Sequence, residues 1–526
     1  MKLHWIDMLI VVLSLIAAVG VGVWFSRKQN STKAYFAANG AVPAWAVGMS
    51  MFATIISSVT FLAYPGAAYA GNWILLVQGL MVPIVLVGMI WFIVPLFRRV
   101  IRLSTYEYFE RRFGALARYY SSLAFVLEHF AKMGTILYLM GMAMATFTGV
   151  NITYIIVFIG IVIILLTYLG GMEAIIWMDV VQGFLLILGG VLTIGILFYL
   201  TDGGTATIFQ VAGEYDKIDF GPYDWDFHER TFIVLVVNGI FYAVQKYGTD
   251  QSIVQRYLAA KDEKSAKKAS YMGVLMSVPA WALFMFVGTC LFVYYHLNPS
   301  PEVEALKSDQ VFPYFIANEL PIGICGLIIA ALVAGAISSI DSDVNCISAV
   351  IVEDYYGRLK KNATDKQKLL VGRASVLVIG ILSIFIALLY VSWGGEGVLG
   401  TLFGLYAIVS AGIVGIFLLG LFSRRANWQG VYIGIACAVI FTAYAILTTT
   451  SFETADGTKK LMLDLGDYNF SHHTLMLGVY SHLIVLIVGY LASLCFKTPL
   501  ADKELTVYGY LEERKQQKKA HPSRSL

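Results

Sequence analysis

Charge is what this sequence has least of. Only 13% of its 526 residues are Asp, Glu, Lys or Arg, while 58% are hydrophobic. Soluble domains carry about 25% charged residues. A water-soluble fold is therefore excluded, and the chain reads as an all-α polytopic membrane protein. Cysteine is also sparse. Cys290, Cys325, Cys346, Cys437 and Cys495 have no metal or redox spacing and all fall in apolar segments, where they read as small buried hydrophobes. No cleavable signal is evident, because the first apolar run is long and lacks a small-residue cleavage site. There is no His/Cys metal cluster or nucleophile–base pair at intramembrane depth, which argues against an enzyme. Nothing points to nucleic acid; the partners to expect are lipid, a small solute and an ion.

A spanning helix needs about 20 mostly apolar residues. Thirteen stretches qualify: 5–25, 45–70, 74–97, 120–147, 152–169, 173–200, 230–252, 270–296, 313–350, 370–391, 397–423, 428–449 and 475–497. Of the 37 Lys and Arg, 29 fall in one set of alternate loops, including 253–269, and in the tail from 497. The opposite set holds six, and Lys132 and Lys246 lie inside helices. The positive-inside rule puts the rich set in the cytoplasm, with the N-terminus outside and the C-terminus cytoplasmic. Residues 1–500 form a single transporter domain on this reading. Residues 501–526 form a polar, basic cytoplasmic tail, read as a short solvated helix followed by disorder.

Against this apolar background, polar positions stand out. Ser338, Asp341, Ser342 and Asn345 sit at i, i+3, i+4 and i+7, on one face of an otherwise apolar helix, with Ser339 and Asp343 flanking. A carboxylate inside a membrane costs roughly 2.5–3.5 kcal/mol on insertion scales. Hydroxyls and carboxylates together offer the oxygen ligands that a hard cation takes. The alternative places these acids, Asp343 above all, in water at the cytoplasmic end. Phe52–Phe61 carries four hydroxyls and is followed by Pro65-Gly66, suiting a helix that unwinds in mid-membrane. Asp179 lies about two turns into its span. Phe241–Asp250 packs an amide, a lysine, a tyrosine and an acid around Gly248, a second interrupted helix. Glu128 and Lys132 stand at i, i+4, so Lys132 pairs with Glu128 or serves a substrate, both readings being open. His129 reads as a structural hydrogen-bonder.

Two interrupted helices five spans apart define two repeats of five helices, about 45–200 and 230–423. An odd repeat length inverts the second repeat relative to the first. Helices 5–25, 428–449 and 475–497 are extra. That arrangement is the signature of a secondary transporter, with substrate and ion held near the midplane where broken helices meet.

The segments GGMEAIIWMDVVQG (170–183), TDQSIVQRYLAAK (249–261), AISSIDSDVNCIS (336–348) and GIFLLGLFSRRAN (415–427) resemble the sodium/solute symporter family over nearly the whole chain. Phe52–Phe61, TILYL (135–139) and LPIGICGLIIAAL (320–332) are similar to its sialic acid branch in particular. The resemblance implies a leucine-transporter-like 5+5 inverted repeat and one or two Na+ ions. It places the main sodium site at Ala53, Ile56, Gly335, Ser338 and Ser339. A second cation site would fall on Asp179, Ser338, Asp341 and Ser342, with Asp341 a departure from the Ser of the pattern. Substrate contacts carry over to Ser57, Thr60 and Lys132. Lys offers a carboxylate a point charge without the bidentate fork of Arg. The neighbouring Gln78, Gln245 and Lys246 complete the candidate substrate set. The family's galactose-binding pattern is lost, since Thr60, Gly79, Ala243 and Lys246 occupy its positions and no Lys stands near Leu275. A neutral hexose is thereby disfavoured.

The expected function is sodium-coupled import of a carboxylated sugar, sialic acid (N-acetylneuraminate) foremost, by alternating access across a bacterial inner membrane. Symport of another small organic anion or sugar is the near alternative. A substrate sensor or channel is the distant one, and a tail of about 30 residues is too short for a sensor's output domain.

Overall fold

Hydrocarbon offers no partner to a free backbone N–H or C=O, so long apolar runs satisfy their own groups as helices. The computed structural model of the chain describes residues 3–26, 29–56, 58–392, 411–453 and 459–520, and it is helical almost throughout. The elements that matter here are α1 (Trp5–Ser26), α2 (Ala44–Ile55), α3 (Ser58–Ala70), α4 (Ile74–Val100), α5 (Tyr106–Phe113), α6 (Ala115–Thr148) and α7 (Ile152–Leu200). They continue with α8 (Phe232–Gly248), α9 (Gln251–Ala259), α10 (Glu263–Leu297), α11 (Ser308–Asn318), α12 (Ile324–Val350) and α13 (Asp365–Ser392). The last are α14 (Ile413–Phe422), α15 (Trp428–Thr449), α16 (Thr474–Leu494) and α17 (Val507–Ala520). Among the described residues, nine helices are long and apolar enough to cross a membrane, or up to eleven if each bent pair is one span. Met8, Leu9, Leu13 and Ile16 of α1 lie exposed while Val11 and Leu15 are buried. An apolar exterior of that kind suits lipid, not water.

Both interrupted helices are present. The first repeat's pair bends by 54° between Ala44–Ile55 and Thr60–Ala70, and the second's by 45° between Phe232–Gly248 and Gln251–Ala259. Stretches 152–169 and 173–200 join into one 49-residue element broken at Gly171 (φ 58°, ψ −167°). Only glycine adopts that conformation freely. A Cβ there would also come within 2.9 Å of the Tyr35 carbonyl oxygen. The stretch expected as one span over 313–350 is instead two helices, α11 and α12, parted at Pro321 and Gly323 (φ 90°). The expected span 397–423 lies outside the described residues up to 410, and α14 is its described part. The tail helix α17 is docked rather than freely solvated: Tyr508 Oη donates to the Phe422 carbonyl at 3.0 Å, and Glu513 pairs with Arg99.

The packing centre is α12, in which every residue from Ile328 to Val350 is buried. It lies against α1, α2, α6, α7 and α9. α10 crosses both halves of the first bent pair by way of two glycines. A Cβ at Gly273 would fall 2.9 Å from Met51 Cβ of α2, and one at Gly288 would fall 2.1 Å from the Pro65 carbonyl oxygen of α3.

Candidate cation and substrate site

The last four carbonyls of a helix have no intrahelical partner. α2 ends in mid-bundle, with Ile56 extended (φ −87°, ψ 103°). Carbonyl oxygens around Ala53 and Ile56 are thereby freed inside the fold, both residues being buried. α2 packs on α12, whose Gly335, Ser338, Ser339, Asp341 and Ser342 are all buried. The helical spacing read from the sequence thus turns its polar face inward.

Asp179 of α7 is the anchor. Its carboxylate accepts from Ser338 Oγ at 2.5 Å, from Ser50 Oγ at 2.5 Å and from Arg256 Nη2 at 2.9 Å. Arg256 is wholly buried, and its guanidinium also donates to Ser342 Oγ at 2.8 Å, Ser50 Oγ at 2.7 Å and the Ser252 carbonyl at 2.5 Å. Asp341 Oδ1 has a long contact from Ser342 Oγ, at 3.4 Å. Asp341 Oδ2 and Ser339 Oγ have no hydrogen-bond partner among the described residues. Two acids face one guanidinium, so with both ionised the cluster holds one negative charge more than its fixed cation balances. A buried unpaired charge costs several kcal/mol. A hard cation among Asp179, Ser338, Asp341 and Ser342 would give Asp341 Oδ2 a partner, and one among Ser338, Ser339 and the freed carbonyls would give Ser339 Oγ one. The residues present therefore fit a sodium ion.

The substrate candidates divide. Lys132 does not pair with Glu128; its ammonium lies 2.9 and 3.1 Å from the carboxylate oxygens of Asp343, which is fully buried rather than in water. Lys246 pairs with Asp250 within its own bent segment. Gln245 Nε2 lies 3.5 Å from Glu128 Oε2. Lys132, Gln245 and Lys246 thus share one charged cluster with Glu128, Asp250 and Asp343. Gln78 sits apart from it, donating to Asn238 Oδ1 at 2.9 Å. Thr60 is buried near the start of α3, with no hydrogen bond to the cluster among the described residues. Ser57 lies outside the described residues.

Several residues here were not legible as site members. The charge count places Arg256 in the basic loop 253–269, because four lysines follow it there. The signal for its burial was the amphipathic run of Gln251, Ser252, Gln255 and Arg256, all buried on α9. Ser50 lies one turn before Thr54, whose hydroxyl returns to the Ser50 carbonyl at 2.8 Å.

The end of the bundle that carries the Lys- and Arg-rich loops is laced by ion pairs and hydrogen bonds. Arg118 donates to Asp354 at 2.9 and 2.5 Å and to Glu110 at 2.6 Å, and Arg358 joins Glu110. Gln251 Oε1 accepts from both the backbone N–H and the hydroxyl of Thr105 at 2.7 Å. Gln255 bridges to Asn345 at 3.0 Å.

Comparison with known proteins fits this arrangement. The Sodium:solute symporter family matches residues 35–437, well over half of the chain. The sodium/sialic acid symporter NanT of Aliivibrio fischeri is 32% identical over 501 residues, covering 95% of each chain. The sodium/sialic acid symporter SiaT of Proteus mirabilis is 35% identical, over 81% of this chain and 86% of its own. A solved Na+-coupled sialic acid symporter, in a substrate-bound outward-open state with a novel Na+ site, superposes with a TM-score of 0.85 at 32% identity. That alignment covers 95% of this chain and all of the other. The fold is leucine-transporter-like, and the protein is a multi-pass transporter, not an enzyme. The family match runs unbroken from before the first bent helix to beyond α14, and the chain belongs to the sodium:solute symporter family.

Proposed function

We propose that the protein imports a carboxylated sugar, sialic acid (N-acetylneuraminate), coupled to one or two Na+ ions, across a bacterial inner membrane. The observation that carries the sodium coupling is the pair of buried acids, Asp179 and Asp341, beside the single guanidinium of Arg256, with Ser339 Oγ and Asp341 Oδ2 unpartnered. The main sodium site is Ala53, Ile56, Gly335, Ser338 and Ser339. The second is Asp179, Ser338, Asp341 and Ser342. The sialic acid symporters at 32–35% identity support the substrate class. On this reading Lys132 holds the substrate carboxylate, with its side chain 26% exposed beyond the Asp343 pair. Ser57, Thr60, Gln78, Gln245 and Lys246 serve the hydroxyls and amide.

The transporter domain spans 1–500, with inverted repeats about 45–200 and 230–423, and 501–526 is a cytoplasmic tail. The N-terminus lies outside and the C-terminus inside, by the charge asymmetry of the loops. The Arg118–Asp354–Glu110 network then closes the cytoplasmic side. Sodium moving down its gradient supplies about 2.3 kcal/mol per charge per 100 mV, plus the concentration term.

The test is uptake of radiolabelled N-acetylneuraminic acid into proteoliposomes, with and without an inward sodium gradient, for wild type and Ser339→Ala. Sodium-driven uptake that falls at least tenfold in the variant at limiting sodium is expected. Uptake indifferent to sodium would refute the cation assignment. Sodium-dependent thermal stabilisation without uptake would keep the cation site and refute the substrate.

A further inference from the structure

A second buried ionic cluster lies beside the proposed sodium cluster, and its centre is His129, read from the sequence as a structural hydrogen-bonder. His129 of α6 is 1% exposed. Its Nδ1 lies 2.9 Å from the carbonyl oxygen of Phe125, one turn earlier. Its Nε2 lies 3.6 Å from Asp250 Oδ2 and 3.6 Å from Asp343 Oδ1, and makes no hydrogen bond. Both ring nitrogens therefore face only acceptors. A neutral imidazole carries one N–H and one lone pair. Either tautomer would aim that lone pair at an oxygen, a carbonyl on one side or two carboxylates on the other. Only the imidazolium has a proton for each.

The charges around it agree. Lys132 holds Asp343, and Lys246 holds Asp250. The line Lys132, Asp343, His129, Asp250, Lys246 alternates in sign when His129 is charged. Glu128, on the same helix, adds a sixth group through Gln245. Three acids are balanced by three bases only with the second proton on His129. Other titratable groups also face the cluster: Tyr106 of α5, Tyr242 of α8, Arg256 and Tyr257 of α9, and Asp341 and Cys346 of α12. The Phe125 ring lies against the imidazole with centroids 3.9 Å apart, a contact that favours a cation.

We propose that His129 is a proton-binding site, distinct from the sodium site, whose proton ties α6 to the bend between α8 and α9 and to α12. Those are parts that alternating access has to move relative to one another. Loss of the proton leaves a lone pair facing either the Phe125 carbonyl or the two carboxylates, and in both cases one uncompensated negative charge, so the tie is weakened.

The test is thermal unfolding of the full-length protein in detergent from pH 5.5 to 9.5 at fixed sodium, for wild type and His129→Gln. A proton bound by the folded state and not by the unfolded one makes stability fall as pH rises. The wild-type melting temperature should therefore fall by several degrees above about pH 6.5, where an ordinary imidazole has lost its proton, and then level off. In His129→Gln that step should be missing. A wild-type curve without the step, or the same step in the variant, would overturn the proposal. Should His129→Gln not fold, His129→Lys, which keeps a charge that does not titrate in this range, is judged by the same criterion. The measurement uses no substrate, so it stands or falls independently of the sialic acid assignment.

Discussion

Replacing Arg256 by Met tests the charge count at the sodium cluster. The substitution removes the guanidinium that lies 2.9 Å from Asp179 and 2.8 Å from Ser342 Oγ, leaving two buried acids with no fixed cation. Breaking a buried pair by removing one partner costs about 3–5 kcal/mol. In sodium-free buffer the variant should therefore unfold well below wild type. Sodium should rescue it. Two cations sharing the Asp179 carboxylate would lie about 5 Å apart and repel by roughly 3 kcal/mol at an effective dielectric constant of 20. Relief of even half that repulsion lowers the sodium concentration needed for half-maximal stabilisation by about tenfold. Saturating sodium at a hundred times its dissociation constant would return about 2.7 kcal/mol. The assay is thermal unfolding in detergent, titrated with sodium against choline, for wild type, Arg256→Met and Arg256→Met/Asp179→Asn. The double variant should recover stability in sodium-free buffer and lose the enhanced response. An Arg256→Met protein as stable as wild type without sodium, or one no more sodium-responsive, would refute the reasoning.

Three further outcomes are expected. Asp343→Asn frees the Lys132 ammonium and should change the KM for an anionic substrate by about tenfold in either direction, whereas Lys132→Met should abolish saturable uptake; unchanged kinetics in both would remove Lys132 from the substrate site. Gly171→Ala forces a side chain into a positive-φ position and against the Tyr35 carbonyl, costing about 1–3 kcal/mol, read as a lowered melting temperature. Partial burial would raise the pKa of Glu110, but the Arg358 and Arg118 guanidiniums outweigh it and hold the carboxyl below its ordinary 4.5. Its contribution is thus full above that value and lost as pH falls through the lowered one, so Glu110→Gln should flatten the acid limb of a stability profile.

Much of the architecture could be read in advance because hydrocarbon enforces helices and helical spacing makes faces explicit. The Ser338–Asn345 face, the bent pairs and the depth of Asp179 followed from that. What escaped were partners brought together across the fold. Lys132 and Glu128 are four residues apart, so their pairing was the local expectation, yet Asp343 is 211 positions away and sits closer in space. Local spacing ranks only local partners. Arg256 was hidden by its lysine neighbours, since a count of loop charge cannot tell a residue at the mouth of a loop from one a turn inside the bundle. The α11–α12 break was marked by Pro321 and Gly323, but the apolar residues around them masked it.

The two glycines of α10 have a mechanical consequence. Gly273 and Gly288 are 15 residues apart, about 22 Å along the helix, and each sits directly on one half of the first bent pair. α10 therefore works as a splint. It touches α2 and α3 on either side of their bend. The close contact with both halves of the bent pair is thus made by a helix that carries none of the proposed ion or substrate ligands.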